Sequence, residues 1–497
     1  MLVFASRSRG YPFVTRAGPI EWAHQRGRSE PPTSEGRFSV STYVTANPTT
    51  GVTDREFPGL ADNEIDGLAA RSLEAFESWR RTEVAERAAI LSRTADLYEQ
   101  RADELASTIT TEMGKPAKEA AGEVQLAADI YRWYADHGPD LLVSEELDPQ
   151  GAESSIVQTA PIGPLLGVMP WNYPYYQVAR FAAPNLLAGN TIVLKHASIC
   201  AASSALMAEI LHDAGVPQDV YANVYASSDQ VAELLAHPAI RGVSLTGSEG
   251  AGAAVAKVAA ENLKKSVLEL GGSDPFILLD SADMARTTTI AARARLSNAG
   301  QACNSPKRFI VLDELYDDFV QGLVEKFEAT TVGDPGDSST RMGPLSSISA
   351  RDTVADQVKT AVDQGATLRT GGAALDRDGA FFQPTVLTDI TPDMDAYAEE
   401  IFGPVAMVYK VSSADEAVAL ANDVEFGLSG SVWSTDTAKA EEVADRLEVG
   451  MAYVNEHGTT LPGLPFGGVK RSGYGRELGR WGLGEFVNTK LRRTAAK

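Results

Sequence analysis

Two residues in this chain have the type and the surroundings to make and break a covalent bond. Cys303 lies in Asn298-Ala-Gly-Gln-Ala-Cys-Asn, beyond an alanine-rich helix expected from about Asp283 to Gly300, so its thiol falls in a turn between helix and strand. Such a turn exposes a nucleophile, although a buried structural thiol fits the same place. Glu269, in Val267-Leu-Glu-Leu-Gly-Gly, is an acid within an apolar strand, followed by two glycines that admit a close neighbour. Desolvation there raises the carboxyl pKa and suits a general base near neutrality; an ion-paired strand-end Glu is the alternative. Asn172, in Pro170-Trp-Asn-Tyr-Pro, offers an amide donor at a strand end. It can stabilise an oxyanion or simply close an Asx turn.

A second group suits a phosphate-bearing ligand. Gly247-Ser248-Glu-Gly-Ala-Gly252 joins a strand to a helix, where backbone N–H groups can hold phosphate, although its glycine order is not G-x-G-x-x-G. Lys195, at the end of an apolar strand, can reach ribose hydroxyls or phosphate, or be a solvated lysine. Cys200, at the start of an alanine-rich helix, reads as core. The six histidines show no metal-type spacing and none pairs with a cysteine, so no metal site is expected.

The elements that position these residues follow from the hydrophobic periods. Between Leu60 and His137 the pattern is helical, with Pro116 in the first turn of a helix whose apolar face carries Ala120, Val124, Ala127, Ile130 and Tyr131. Residues 140–159 read as an extended arm. Apolar runs then appear at Leu165–Met169, Thr191–Leu194, Val220–Val224, Gly242–Leu245 and Ser266–Leu270, with alanine-rich helices such as 201–214 and 249–262 between them. A second series has strands at Phe276–Leu279, Phe309–Leu312, Pro404–Val408 and Gly430–Trp433. Continuous apolar strands alternating with helices predict parallel, doubly wound sheets, which bind ligands at the carboxyl ends of their strands.

Net charge is −23, which disfavours nucleic-acid and anionic-membrane partners. No apolar run approaches the ~18 residues of a membrane span, and two cysteines cannot form a disulfide framework. A cytoplasmic location is expected. Residues 1–40 carry six Arg and three Glu, lack an apolar signal region and show no period, so they read as a disordered extension.

Together these segments resemble the aldehyde dehydrogenase superfamily, from about Thr42 to Lys490. The matching motifs, in order, are PWNYP at 170–174, LKHAS at 194–198, LTGSEGAG at 245–252, LELGG at 268–272, GQAC at 300–303, EEIFGP at 399–404 and PFGGVKRSGYGRE at 465–477. The resemblance implies an α/β fold of two doubly wound Rossmann-like domains, cofactor and catalytic, plus a small β oligomerisation arm. The implied boundaries are 1–40 for the extension, 41–139 with 160–269 for the cofactor-binding domain, 270–466 for the catalytic domain, and 140–159 with 467–497 for the arm and tail. It further implies that Cys303 attacks an aldehyde while Asn172 and the Cys303 N–H hold the oxyanion. Hydride then passes to a nicotinamide, and Glu269 activates the water that hydrolyses the thioester. The cofactor would meet Trp171, Lys195, Ser198, Gly247, Ser248, Gly252, Leu270, Glu400 and Phe402. Within that set Lys195 serves the adenine ribose, Ser248 the pyrophosphate and Glu400 the nicotinamide ribose, with Phe402 near the ring.

NAD-specific relatives often carry a Glu where this chain has Ser198; the serine removes a charge that would repel a 2′-phosphate, so NADP is preferred and NAD possible. Tyr175 to Phe181, with LKHAS and the glycine-rich tail motif, resembles the succinate-semialdehyde dehydrogenase branch. There Arg180 takes the place of a carboxylate-binding arginine, with Tyr176 and Thr460 beside it. A second arginine found in some members is replaced by Ser297, with Arg295 close by on another face. Broad-specificity or aromatic aldehyde oxidation is the alternative within enzymes. A CoA-acylating relative is disfavoured by Glu269, and a non-catalytic paralogue by the intact motif residues. A small aldehyde is the implied partner, and a homodimer or homotetramer the implied assembly.

Overall fold

Five of the apolar runs are buried on both faces and form the parallel core of one sheet: Pro164–Met169, Thr191–His196, Tyr221–Val224, Gly242–Thr246 and Lys265–Glu269. In this computed structural model, which describes residues 42–496, the expected extension at 1–40 lies outside the described residues. Their spatial order puts the earliest strand, Pro164–Met169, in the middle. Thr191–His196 and Tyr221–Val224 follow on one side, and Gly242–Thr246 and Lys265–Glu269 on the other. The chain therefore reverses direction across the sheet at the carboxyl end of Pro164–Met169, the crevice where doubly wound sheets bind ligands. The short strand Gly473–Tyr474 closes the Lys265–Glu269 edge in antiparallel fashion.

Lys265–Glu269 continues through Leu270–Ser273 into Asp274–Leu278, the first strand of a seven-stranded sheet. That sheet runs Thr367–Thr370, Thr385–Thr388, Val405–Val411, Pro306–Leu312, Asp274–Leu278, Ser429–Trp433, Met451–Val454. Every pairing in it is parallel except that of Thr367–Thr370, whose exposed, polar pattern suits a solvated edge. The architecture is thus α/β with two doubly wound, parallel-strand sheets. The bounds of the expected strands differ by one to three residues, and three four-residue strands of the second sheet, Thr367–Thr370, Thr385–Thr388 and Met451–Val454, escaped the apolar-run criterion.

The helix Ala117–Leu141 begins one residue after Pro116, which caps it from outside the first turn with ψ of 135°. Its buried stripe includes Ala120, Val124, Ala127, Ile130 and Tyr131, and also the acid Glu123. A carboxylate on an apolar face needs a partner there, and it has one in Lys115. The helix Pro174–Ala188 is buried along its whole length, which decides the fate of Arg180 below.

The polar stretch after residue 140 forms a three-stranded sheet from Glu145–Leu147, Ser154–Pro161 and the tail strand Val487–Thr494, paired antiparallel throughout. Its outer strands leave Leu147 and Leu491 exposed. An N-terminal hairpin, Thr42–Asn47 with Val52–Pro58, was not anticipated; the Asn47-Pro-Thr-Thr-Gly51 turn is its sequence signal, with Asn47 accepting from the Thr49 and Gly51 N–H groups.

Candidate active site

The carboxyl ends of the first sheet face the amino ends of the second across a cavity of about 270 Å³. The first sheet supplies Trp171, Asn172, Thr246, Gly247, Ser248, Glu269, Leu270 and Gly271 from its strand ends; the second supplies Cys303, Glu400 and Phe402 from the loops that enter Pro306–Leu312 and Val405–Val411.

The turn that carries Cys303 is held from several directions. The helix Met284–Leu296 is capped by Asp283, whose carboxylate accepts from the Arg286 N–H at 3.0 Å. After it, Asn298, Ala299 and Gly300 take φ of 50°, 54° and 75° in succession. Left-handed backbone at two non-glycine residues costs on the order of 1–2 kcal/mol each, so the surroundings must over-determine it. They do. Asn298 Nδ2 donates to the Asn172 carbonyl at 2.9 Å, and the Asn298 N–H donates to Glu119 at 2.7 Å. Gly300 lies so close to the Gly403 carbonyl that a side chain could not fit. Arg295, wholly buried, donates to the carbonyls of Val405 at 2.6 Å, Ile401 at 2.8 Å and Gly300 at 3.3 Å. It therefore staples the turn to the loop that carries Glu400 and points away from the cavity. Lys307, also wholly buried, donates to the carbonyl of Ala302 at 3.0 Å and to that of Cys303, and pairs with Glu400 at 2.9 Å.

Asn172 is fixed just as firmly. Its Nδ2 donates to the Gln301 carbonyl at 3.0 Å, which uses one of its two N–H groups and leaves the other for a ligand. Its own carbonyl accepts from Lys115 Nζ at 2.8 Å. Lys115 pairs with Glu123, the buried acid of the Ala117–Leu141 helix, and Glu123 accepts from the N–H groups of Tyr175 and Tyr176. Sequence reasoning missed Lys115, Glu123, Asn298 and Lys307. Of these, only Glu123 left a signal, as a charge on an apolar helix face.

Glu269 is different. Its side chain is buried, and among the described residues neither carboxylate oxygen has a hydrogen-bond partner. Burial raises its pKa well above the usual carboxylate range; Arg180 pulls it back, and Glu477 pushes it further up. Burial likewise pushes the Cys303 thiol up to about 11, against pulls from Arg180 and Lys307. Cys200 is buried, its thiol raised by burial and donating to the Trp171 carbonyl at 3.6 Å, which fits a core residue.

Toward the first sheet the cavity has the features of a dinucleotide seat. Ser248 caps the helix Glu249–Glu261, accepting from the Ala251 N–H, and the acid in that first turn, Glu249, is neutralised by Arg471. Gly252 lies behind Leu270, whose Cδ2 would be 2.6 Å from any Cβ there. Glu400 accepts from the Gly272 N–H at 3.2 Å and crosses the face of Gly271, which has no room for a side chain. Phe402 meets Trp171 edge-on, with ring centroids 5.7 Å apart. Lys195, at the end of the neighbouring strand, has its pKa lowered by burial. Ser198 follows it, exposed, in the short helical turn Ser198–Cys200. These groups fit an NADP-type cofactor: glycines for close approach, a helix N-terminus for pyrophosphate, and an unpaired cation without a nearby acid at Ser198.

Arg180, at the position where the resemblance implies a carboxylate-binding arginine, sits on a wholly buried helix that leaves it no exposed surface. Its guanidinium pairs with Glu477 and donates to the Tyr176 hydroxyl at 3.0 Å and Thr246 Oγ1 at 3.1 Å. Burial opposes its charge, yet Glu477 and its other neighbours hold the pKa above the usual value. It lies outside the lining of the cavity, as do Tyr176 and Thr460, which face one another. Because Arg180 donates to the Tyr176 oxygen, the tyrosine proton is left to point elsewhere.

The profile described as "Aldehyde dehydrogenase family" matches residues 37–491. A protein of Deinococcus radiodurans named succinate-semialdehyde dehydrogenase [NADP(+)] is 52% identical over 449 residues, covering 90% of this chain and 94% of that protein. One of the same name from Mycobacterium avium is 45% identical over 450 residues, covering 90% and 95%. The crystal structure of succinic semialdehyde dehydrogenase from Streptococcus pyogenes with NADP+ superposes with a TM-score of 0.89 at 43% identity, covering 91% of this chain and all of that one. On these matches, which run through both sheets and the arm, the chain belongs to the aldehyde dehydrogenase family.

Proposed function

We propose that this protein oxidises an aldehyde to a carboxylic acid with NADP+ as the preferred acceptor and NAD+ as a usable one, and that succinic semialdehyde is its substrate. The observation that carries the reading is the convergence of Cys303, Asn172 and Glu269 on one cavity whose other wall suits a dinucleotide. The names of the relatives above support the substrate and cofactor. The cofactor-binding domain is taken as residues 41–139 with 160–269, and the catalytic domain as 270–466.

Cys303 Sγ adds to the aldehyde carbon and its proton passes to Glu269, giving a thiohemiacetal whose oxyanion is held by the free N–H of Asn172 and the Cys303 backbone N–H. When bound, NADP+ supplies the hydride acceptor. Cys303 then carries a thioester. Glu269 releases the thiol proton to solvent and, again a carboxylate, takes a proton from the attacking water, and the acid leaves as the thiolate is restored. Arg180 and Lys307, both within Coulombic reach of Cys303, favour that thiolate.

The substrate carboxylate meets Tyr176 and Thr460, with Arg180 acting through the Tyr176 hydroxyl that it polarises. The exposed Leu147 and Leu491 of the arm are the surface that joins copies into a homodimer or homotetramer.

The test is NADPH and NADH formation from succinic semialdehyde, benzaldehyde and a short alkanal, in wild type and Tyr176→Phe. The expected result is a lead for succinic semialdehyde of at least about tenfold in kcat/KM, equivalent to ~1.4 kcal/mol, which shrinks in the variant. Equal rates for the uncharged aldehydes would overturn the semialdehyde reading and leave aldehyde oxidation standing.

A further inference from the structure

On the other side of the Cys303 turn lies a second cavity, of about 740 Å³, between the start of the helix Ala117–Leu141, the helix Met284–Leu296, the end of the helix Asp313–Glu328 and the loop at Arg341. Four cations line it: Lys118, Arg293, Lys326 and Arg341. Its one acid is Glu119. Among the described residues none of the four cations is paired with a carboxylate, whereas Arg101, Arg132, Arg351 and Arg471 elsewhere on the surface all are. In a chain of net charge −23, a concave concentration of unpaired positive charge is the exception. Concave walls focus such a field, and two arginine forks are suited to oxyanions.

Glu119 offsets only one of the four positive charges, and its carboxylate is already engaged at the cavity wall. It accepts from Ser297 Oγ at 3.0 Å and the Asn298 N–H at 2.7 Å, the residues that open the left-handed turn leading to Cys303.

The geometry points to an anion-binding site here, for a small ligand carrying two or more negative charges in a compact phosphoryl group, coupled through Glu119 to the turn that holds the nucleophile. An anion seated on the four cations lies beside Glu119. Like-charge repulsion weakens the hold of that carboxylate on Ser297 and Asn298, and the reactivity of Cys303 changes with it. The site is separate from the dinucleotide seat and rests on none of its residues.

Inorganic pyrophosphate is the probe, titrated calorimetrically into the full-length protein saturated with NADP+, with succinate as the carboxylate comparator. Wild type is compared with Arg293→Gln/Arg341→Gln, two exposed positions whose replacement leaves the fold intact, checked by thermal unfolding. The second readout is the rate of Cys303 alkylation by iodoacetamide, with and without pyrophosphate. The expected result is saturable pyrophosphate binding, weaker by about tenfold or more in the double variant, and an alkylation rate that pyrophosphate alters only in wild type. Succinate binding stronger than that of pyrophosphate and lost in the double variant would overturn the phosphoryl assignment. Absence of saturable binding, or equal binding by both proteins, would overturn the site. Binding without any change in alkylation would overturn the coupling. Because the comparison is between two proteins with the same dinucleotide seat, each outcome stands apart from the proposed aldehyde chemistry.

Discussion

The two residues proposed to trade a proton sit in opposite kinds of environment. The Cys303 turn is tied down at nearly every polar atom: Arg295 and Lys307 hold its carbonyls, Glu119 holds an N–H, and Asn298 and Asn172 bond across it. Glu269, on the facing strand end, has no hydrogen bond to either oxygen. The difference follows from what each group must do. A nucleophile and its oxyanion donor work only in one geometry, so strain in the turn is repaid by fixed partners. A base that serves first a thiol and then a water is of more use unpinned, and an orphaned buried carboxylate stores the raised pKa that such work requires.

The most damaging way to break this contrast is to remove the cation that anchors the fixed side. Lys115→Met leaves Glu123 buried without its partner and frees the Asn172 carbonyl. Loss of a buried partner of this kind costs about 3–5 kcal/mol, so denaturant unfolding should show a clear drop in midpoint together with loss of activity. Asn172→Ala removes the proposed oxyanion donor and its bond to the Gln301 carbonyl; kcat should fall by about 10²–10³, with a stability loss of only about 1 kcal/mol because Asn298 Nδ2 still reaches that carbonyl. Substrate-free alkylation of Cys303 probes the same region by pH. The thiol is protonated well below a pKa of about 11, so thiolate accumulates as pH rises, and the rate should climb about tenfold per unit from pH 7 and level off only near 11. A plateau near pH 8 would show that Arg180 and Lys307 outweigh burial. The smallest effect concerns the dinucleotide side. Ser198→Glu places a carboxylate beside a 2′-phosphate, and should shift the kcat/KM ratio toward NAD+ by about tenfold, ~1.4 kcal/mol, without altering the alkylation profile.

The contrast also marks what was legible in the sequence. Buried parallel strands leave continuous apolar runs, so the five parallel strands of the first sheet and four of the seven strands of the second could be read with bounds within a few residues, and with them the strand ends at Asn172, Gly247 and Glu269. Edge strands such as Thr367–Thr370 are polar and half-solvated and left no such run. The acid and the thiol stood out because each is chemically odd in its local setting. The partners that position them did not. Lys307 and Lys115 are ordinary lysines in sequence, and only long-range packing reveals that both are wholly buried. Arg180 was singled out by resemblance, but nothing local in the sequence showed its partner Glu477, which comes from a segment nearly 300 residues away. An arginine on a helix buried along its full length must be paired from within.

Cys303 is proposed to form the thioester and Glu269 to release it. Stopped-flow recording of NADPH formation from succinic semialdehyde by Glu269→Gln tests this directly, with Cys303→Ala as the blank. The expected result is a burst approaching one NADPH per subunit, formed more slowly than in wild type because the thiol has also lost its base, followed by a steady state slower still, at least about 10² below wild type, the scale expected for loss of a general base. Steady turnover at the wild-type rate in Glu269→Gln, or any burst in Cys303→Ala, would contradict it.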